Sequence, residues 1–86
     1  METNELNEIL FMQLVYQNQQ LAMMGMGKIN NPVSGKSEKN LEQAKFAIDM
    51  LDMLAIKTKG NLGTNEEKFL HDVVRELKLN YVNESK

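Results

Sequence analysis

Three segments carry apolar residues at helical spacing, and polar turns separate them. In the first, Leu6, Leu10, Leu14, Leu21 and Met24 form one stripe. Phe11, Val15 and Ala22 form a second, with Met12 and Met26 near its flank. This pattern predicts a helix over about 3–24 that is apolar on two faces. Thr3 or Asn4 can cap it, and the nearby acids suit the positive end of its dipole. From Ile9 to Gly27 there is no ionisable Asp, Glu, Lys or Arg. A helix apolar on most sides is normally covered on most sides. Gln13, Gln17, Asn18, Gln19 and Gln20 suit a helix–helix seam or a polar rim and exclude a lipid-spanning helix, because amides in hydrocarbon are costly.

The second segment has a readable start, interior and stop. Asn40 is placed as the N-cap, and Gln43 three residues on can complete a weak capping box. Leu41, Ala44, Ala47, Ile48, Leu51, Leu54 and Ala55 share a face, while Glu42, Lys45, Asp49 and Asp52 lie opposite. Lys57 and Lys59 suit the negative helix end, and Gly60 suits a left-handed stop. The predicted helix covers about 40–58. Phe46, Met50 and Met53 make a second strip, so this helix has surface for two neighbours.

The third segment opens with Thr64-Asn65-Glu66-Glu67, which reads as a capping box with Thr64 as cap and Glu67 at the third position. Phe69, Leu70, Val73, Val74, Leu77 and Tyr81 fill one face, and Lys68, His71, Asp72, Arg75 and Lys78 lie outside it. A helix over about 64–82 follows, with residues 83–86 as a frayed tail. The short link at Asn61–Gly63 makes helices two and three an antiparallel hairpin. The expected fold is all-α, one helical domain over 1–86, with a loop at 27–39 that contains the turn dipeptides Asn31-Pro32 and Ser34-Gly35.

Composition narrows the classes. An 86-residue chain has a thin core, burying roughly 60% of its unfolded surface. Self-association is a common remedy, and the uncharged first helix is the natural place for it. A homo-oligomer, a dimer above all, is the expected state, through Leu10, Phe11, Leu14, Val15, Leu21, Met23, Met24 and Met26. A net charge of −2 and a pI near 5.3 argue against nucleic acid as partner. The absence of Cys removes disulfides, thiolate chemistry and Cys metal sites. No apolar run reaches membrane-spanning length. Glu2, Glu5 and Glu8 stand where a signal peptide needs bases, so the expected compartment is the cytoplasm.

Candidate chemistry is sparse. Asn30 to Ser37 approaches the phosphate-loop pattern, but Asn30 replaces its first glycine and no strand precedes it. Lys28, Asn30, Asn31, Gly35, Lys36 and Ser37 are therefore candidates for anion contact only, the alternative being a solvated turn. His71 has Glu67 one turn before it, too few groups for a metal site. Asp49 and Asp52 share a wet face with Glu42 and Lys45, where nothing shifts a carboxylate toward acid–base work. The methionines, including Met50 and Met53, fit either packing or an adaptable partner groove. No catalytic constellation, metal set or cofactor motif is apparent, so a non-enzyme is expected.

Four short pieces carry a resemblance. They are Leu21-Ala22-Met23-Met24-Gly25, Asn31-Pro32-Val33-Ser34-Gly35, Asn40-Leu41-Glu42-Gln43-Ala44-Lys45 and Thr58-Lys59-Gly60-Asn61-Leu62. With the closing Leu77-to-Val82 stretch, the chain resembles, from about Phe11 to Val82, the small bacterial proteins of domain of unknown function eighteen-forty-four. That family usually carries acids directly after the last piece, whereas Gly63-Thr64-Asn65 intervene here. The resemblance implies an all-helical bacterial protein and supplies no catalytic residue. The functional expectation is a protein–protein interaction module or accessory subunit, with small-anion binding by the 28–37 loop as the alternative.

Overall fold

The computed structural model describes residues 2–86 and contains three helices: α1 (Thr3–Gly25), α2 (Leu41–Lys57) and α3 (Thr64–Glu84). The fold is all-α, as the apolar spacing predicts. Each helix packs on both others. The core is made by Val15, Ala22 and Met26 of α1 and its cap, Ala44, Ala47, Ile48 and Leu51 of α2, and Leu70, Val73 and Leu77 of α3.

The end of α1 and the start of α2 meet in a close backbone contact. Gly25 lies in the last turn of α1 and is buried. A Cβ placed on it would meet the Ala44 nitrogen and the Asn40 carbonyl oxygen, each at 2.7 Å. Both obstacles are backbone and have little room to give. Only a residue without a side chain lets the helices meet there. The Asn40 N–H then donates to the Gly25 carbonyl at 2.7 Å, and the Gln43 side-chain amide donates to the Leu21 carbonyl at 3.2 Å. The first satisfies the Gly25 carbonyl, which its own helix cannot pair, and the second adds a side-chain tie one turn earlier. They also place the end of α1 beside the start of α2, so the two helices run antiparallel.

Immediately afterwards α1 stops in a Schellman turn. Gly27 takes φ 76°. Its N–H donates to the Met24 carbonyl and the Lys28 N–H to the Met23 carbonyl. The Asn40 side chain caps α2 by accepting from the Gln43 N–H at 3.1 Å, as its position predicts. Gln43 does not reach back to complete the box, because its amide is turned to α1. At the other end of α2 the Thr58 hydroxyl donates to the Leu54 carbonyl at 2.6 Å, and Gly60 takes φ 83°.

Two helix ends differ from expectation. The cap of α3 is Gly63, not Thr64, and the reaching carboxylate is Glu66, not Glu67: Glu66 Oε1 accepts from the Gly63 N–H at 2.7 Å. A Gly cap has no side chain to return the bond, so only half of the box is made. At the far end, α3 continues to Glu84 rather than ending near 82. Glu84 is held there by Lys28 at 3.1 Å and Lys39 at 3.2 Å. The connector between α1 and α2 is thus tied to the last turn of α3.

Replacing Gly25 with Ala is expected to lower unfolding stability by about 1–3 kcal/mol, the usual cost of overpacking, read as a lower urea midpoint at an unchanged slope. The Glu84 tie has a defined pH sign. Hydrogen bonds from Lys28 and then Lys39 hold the Glu84 carboxyl below its ordinary pKa. Its contribution is present above the unfolded-chain pKa and is lost as pH falls through the lower folded value. Glu84→Gln should therefore lower Tm at pH 7, and the difference from the parent should vanish in acid.

Candidate functional site

The buried stripe of α1 is Val15, Asn18, Ala22 and Gly25, at spacings of three, four and three. It is narrower than the apolar content of the helix. The remaining large side chains are left outside: Leu10 is 56% exposed, Leu14 42% and Leu21 45%, and Leu6, Ile9 and Tyr16 are exposed as well. Of the two stripes seen in the sequence, the one with Val15 and Ala22 faces the core. The one with Leu6, Leu10, Leu14 and Leu21 faces outward.

This partition sorts the expected interface residues. Val15 is 0% exposed and Met26 1%. Both are enclosed by their own chain and belong to the core, which corrects their assignment to a partner face. Val15 lies two turns before Ala22 and Met26 one turn after it, on the flank that packs into the core with α2 and α3. Phe11 and Met23 are half-buried against that core, and Met24 is half-buried too. Leu10, Leu14 and Leu21 form the open part. Asn18, one of the five amides, is buried and donates from Nδ2 to the Leu14 carbonyl at 3.1 Å. It is the one amide of that run placed deep in the seam.

A second strip lies alongside. Phe46 is 69% exposed, and Met50 and Met53 are also open. At 100° per residue these three share a flank of α2 next to the one that carries Gln43. Because Gln43 bonds to Leu21, that flank borders the Leu21 and Leu14 side of α1. By this placement the two exposed strips border the α1–α2 seam, and the exposed Lys57 shares the α2 flank with Phe46 and Met50. Monomeric proteins rarely show contiguous apolar patches larger than a few hundred Å². No ionisable side chain interrupts the α1 strip beyond Glu8.

The 28–37 loop is organised differently from an anion cradle. The Asn31 N–H donates to the Lys36 carbonyl and the Gly35 N–H to the Asn31 carbonyl, at 2.8 and 2.7 Å. Asn31 Oδ1 accepts from the Val33 N–H, and Ser34 Oγ from the Lys36 N–H. The Ser37 hydroxyl donates to the Gly27 carbonyl, and the Lys28 ammonium is on Glu84. A phosphate loop needs its N–H groups turned out toward the ligand; here four of them close the loop on itself. Lys36 and Asn30 are exposed; Asn31, Gly35 and Lys36 are brought together through their backbone, while Lys28 is drawn to Glu84.

Other polar candidates are paired on the surface. Asp49 accepts from Lys45 at 2.8 Å, a bond that raises the lysine pKa. Asp52 pairs with Lys78 at 2.9 Å. Asp72 accepts from Lys68 at 3.0 Å and Arg75 at 3.3 Å, and the Lys68 bond holds its carboxyl below the ordinary range. His71 is exposed on the wall of an α2–α3 groove. Among the described residues, no three His, Asp or Glu side chains are grouped so as to hold a metal ion. Among them, too, no helix is long and apolar enough to cross a membrane.

Residues 8–83 match the family model described as Domain of unknown function (DUF1844). The chain belongs to this family. The match to the DUF1844 model begins at Glu8 and takes in the outward stripe of α1, the connector and nearly all of α3. No curated protein and no solved structure matches the chain. Family membership thus agrees with the resemblance carried by the Leu21–Gly25 and Asn40–Lys45 pieces, and the DUF1844 description assigns no activity.

The internal closure of the loop predicts that millimolar phosphate leaves Tm unchanged, and that Lys36→Ala leaves it unchanged too. A phosphate-dependent rise in Tm that disappears in the Lys36→Ala protein would restore the anion-binding alternative.

Proposed function

We propose that this chain is a non-catalytic interaction protein or accessory subunit that self-associates through α1. The observation that carries the reading is the outward stripe of Leu10, Leu14 and Leu21 on a segment without ionisable groups. Such a surface has no charge to repel an identical copy. It gains by being covered: burying one Leu contributes about 1.5–3 kcal/mol. Several such residues on each copy can offset the cost of association, which is about 4 kcal/mol at its lowest estimates. Met24 at the edge of the stripe can adapt to a facing surface, because the thioether chain is flexible and polarisable. A two-fold dimer presents the same patch twice and suits a stripe of this kind. The paired surface carboxylates support the non-catalytic side of the reading, since acid–base work needs at least one carboxyl perturbed by burial.

Light scattering coupled to size exclusion, at tens of micromolar, is expected to give a dimer. Leu14→Glu combined with Leu21→Glu is expected to weaken it by about 100-fold or more, at 1.5–3 kcal/mol per leucine, with helicity by circular dichroism retained because both side chains are exposed. A parent protein that is monomeric under these conditions would sink the reading.

A further inference from the structure

The α2–α3 hairpin has two grooves. One receives α1. The other is open, measures about 610 Å³, and has no α1 residue in its walls. Its apolar lining is Ala55, Val74, Leu79 and Val82, and Leu79 and Val82 are more than half exposed. Arg75 and Lys78 stand on the α3 wall, with Asp52 facing Lys78. Lys78 and Arg75 each make a surface ion pair that leaves further N–H donors free.

The opposite kind of surface is found at the start of α1. This helix has 23 residues and α2 has 17. At 1.5 Å per residue they are about 34 and 25 Å long. Because the end of α1 is pinned beside the start of α2, roughly the first two turns of α1 run past the end of α2. Residues 2–7 are all exposed, as are Ile9 and Leu10. That overhang carries Glu2, Glu5 and Glu8, and no base. It also carries Leu6, Ile9 and Leu10, each with about half of its surface in solvent, at 45%, 52% and 56%. An acidic helix with an apolar side suits a groove with apolar lining residues whose two bases, each already paired once with Asp72 or Asp52, outnumber its one carboxylate. This is the helix-in-groove mode of recognition, with anchors three and four residues apart.

We propose that the first two turns of α1 dock into the α2–α3 groove of a second copy, with Glu5 and Glu8 meeting Arg75 and Lys78, and that the exchange is reciprocal. Each copy gives one helix end and receives one, so the pair closes and does not grow into a filament. The inference rests on the self-association proposed above and assigns where the leading part of α1 goes.

The test is a charge exchange. One variant carries Glu5→Lys and Glu8→Lys, the other Arg75→Glu and Lys78→Glu. Alone, each brings like charges together and is expected to dimerise on the order of tenfold more weakly or worse. Mixed one to one, they restore both pairings and should form a heterodimer, seen by light scattering and native mass spectrometry. All four positions lie outside the buried core, and circular dichroism confirms the fold of each variant. Carbodiimide should also link a carboxylate of residues 2–8 to Lys78 between parent chains. A dimer that is sensitive to Leu14→Glu but indifferent to both reversals overturns this inference alone. A monomeric parent overturns it together with the reading on which it rests.

Discussion

The arrangement depends on one close approach. Gly25 lets the backbone of α1 reach the first turn of α2, and the Asn40 and Gln43 bonds hold it there. With that end fixed, the lengths of the helices decide the rest. The longer helix cannot be covered along its whole length by the shorter one, so its surplus must fall at the far end. The uncovered apolar residues near the start of α1 are a consequence of the pinned contact and not a local defect of packing.

The same contact accounts for the phase of α1. Once Gly25 faces α2, the positions three, seven and ten residues before it share its face, which selects Ala22, Asn18 and Val15. Leu10, Leu14 and Leu21 are then rotated out. A small chain with a thin core leaves a full set of leucines without a neighbour in its own fold. The second strip of α2, Phe46 with Met50 and Met53, lies beside them for the same reason. The expectation that α2 touches two neighbours is met by α1 and α3, although the strip of Phe46, Met50 and Met53 is not what they cover.

Much of this was legible in the residues. Helical spacing located all three helices, Asn40 announced its cap, and the core faces of α2 and α3 were read from their apolar positions. What could not be read was which of two comparable stripes on α1 turns inward. Periodicity gives the faces of a helix, but their choice depends on a partner far away in the chain, here the backbone of Asn40 and Ala44. The capping at α3 was displaced by one residue for a related reason. Thr64 and Gly63 are both acceptable caps, and the difference lies in the reach of Glu66. The Glu84 tie escaped notice because its partners stand 45 and 56 positions earlier, beyond any local pattern.

That tie gives the connector an unusual master. Lys28 and Lys39 bracket the loop between α1 and α2, and both answer to one exposed carboxylate at the end of α3. Attractions of this kind fade as dissolved ions crowd round them, whereas the buried leucines do not feel the change. Ionic strength therefore acts on the strap and spares the barrel it encircles: as salt rises, the connector gains freedom before the three helices part.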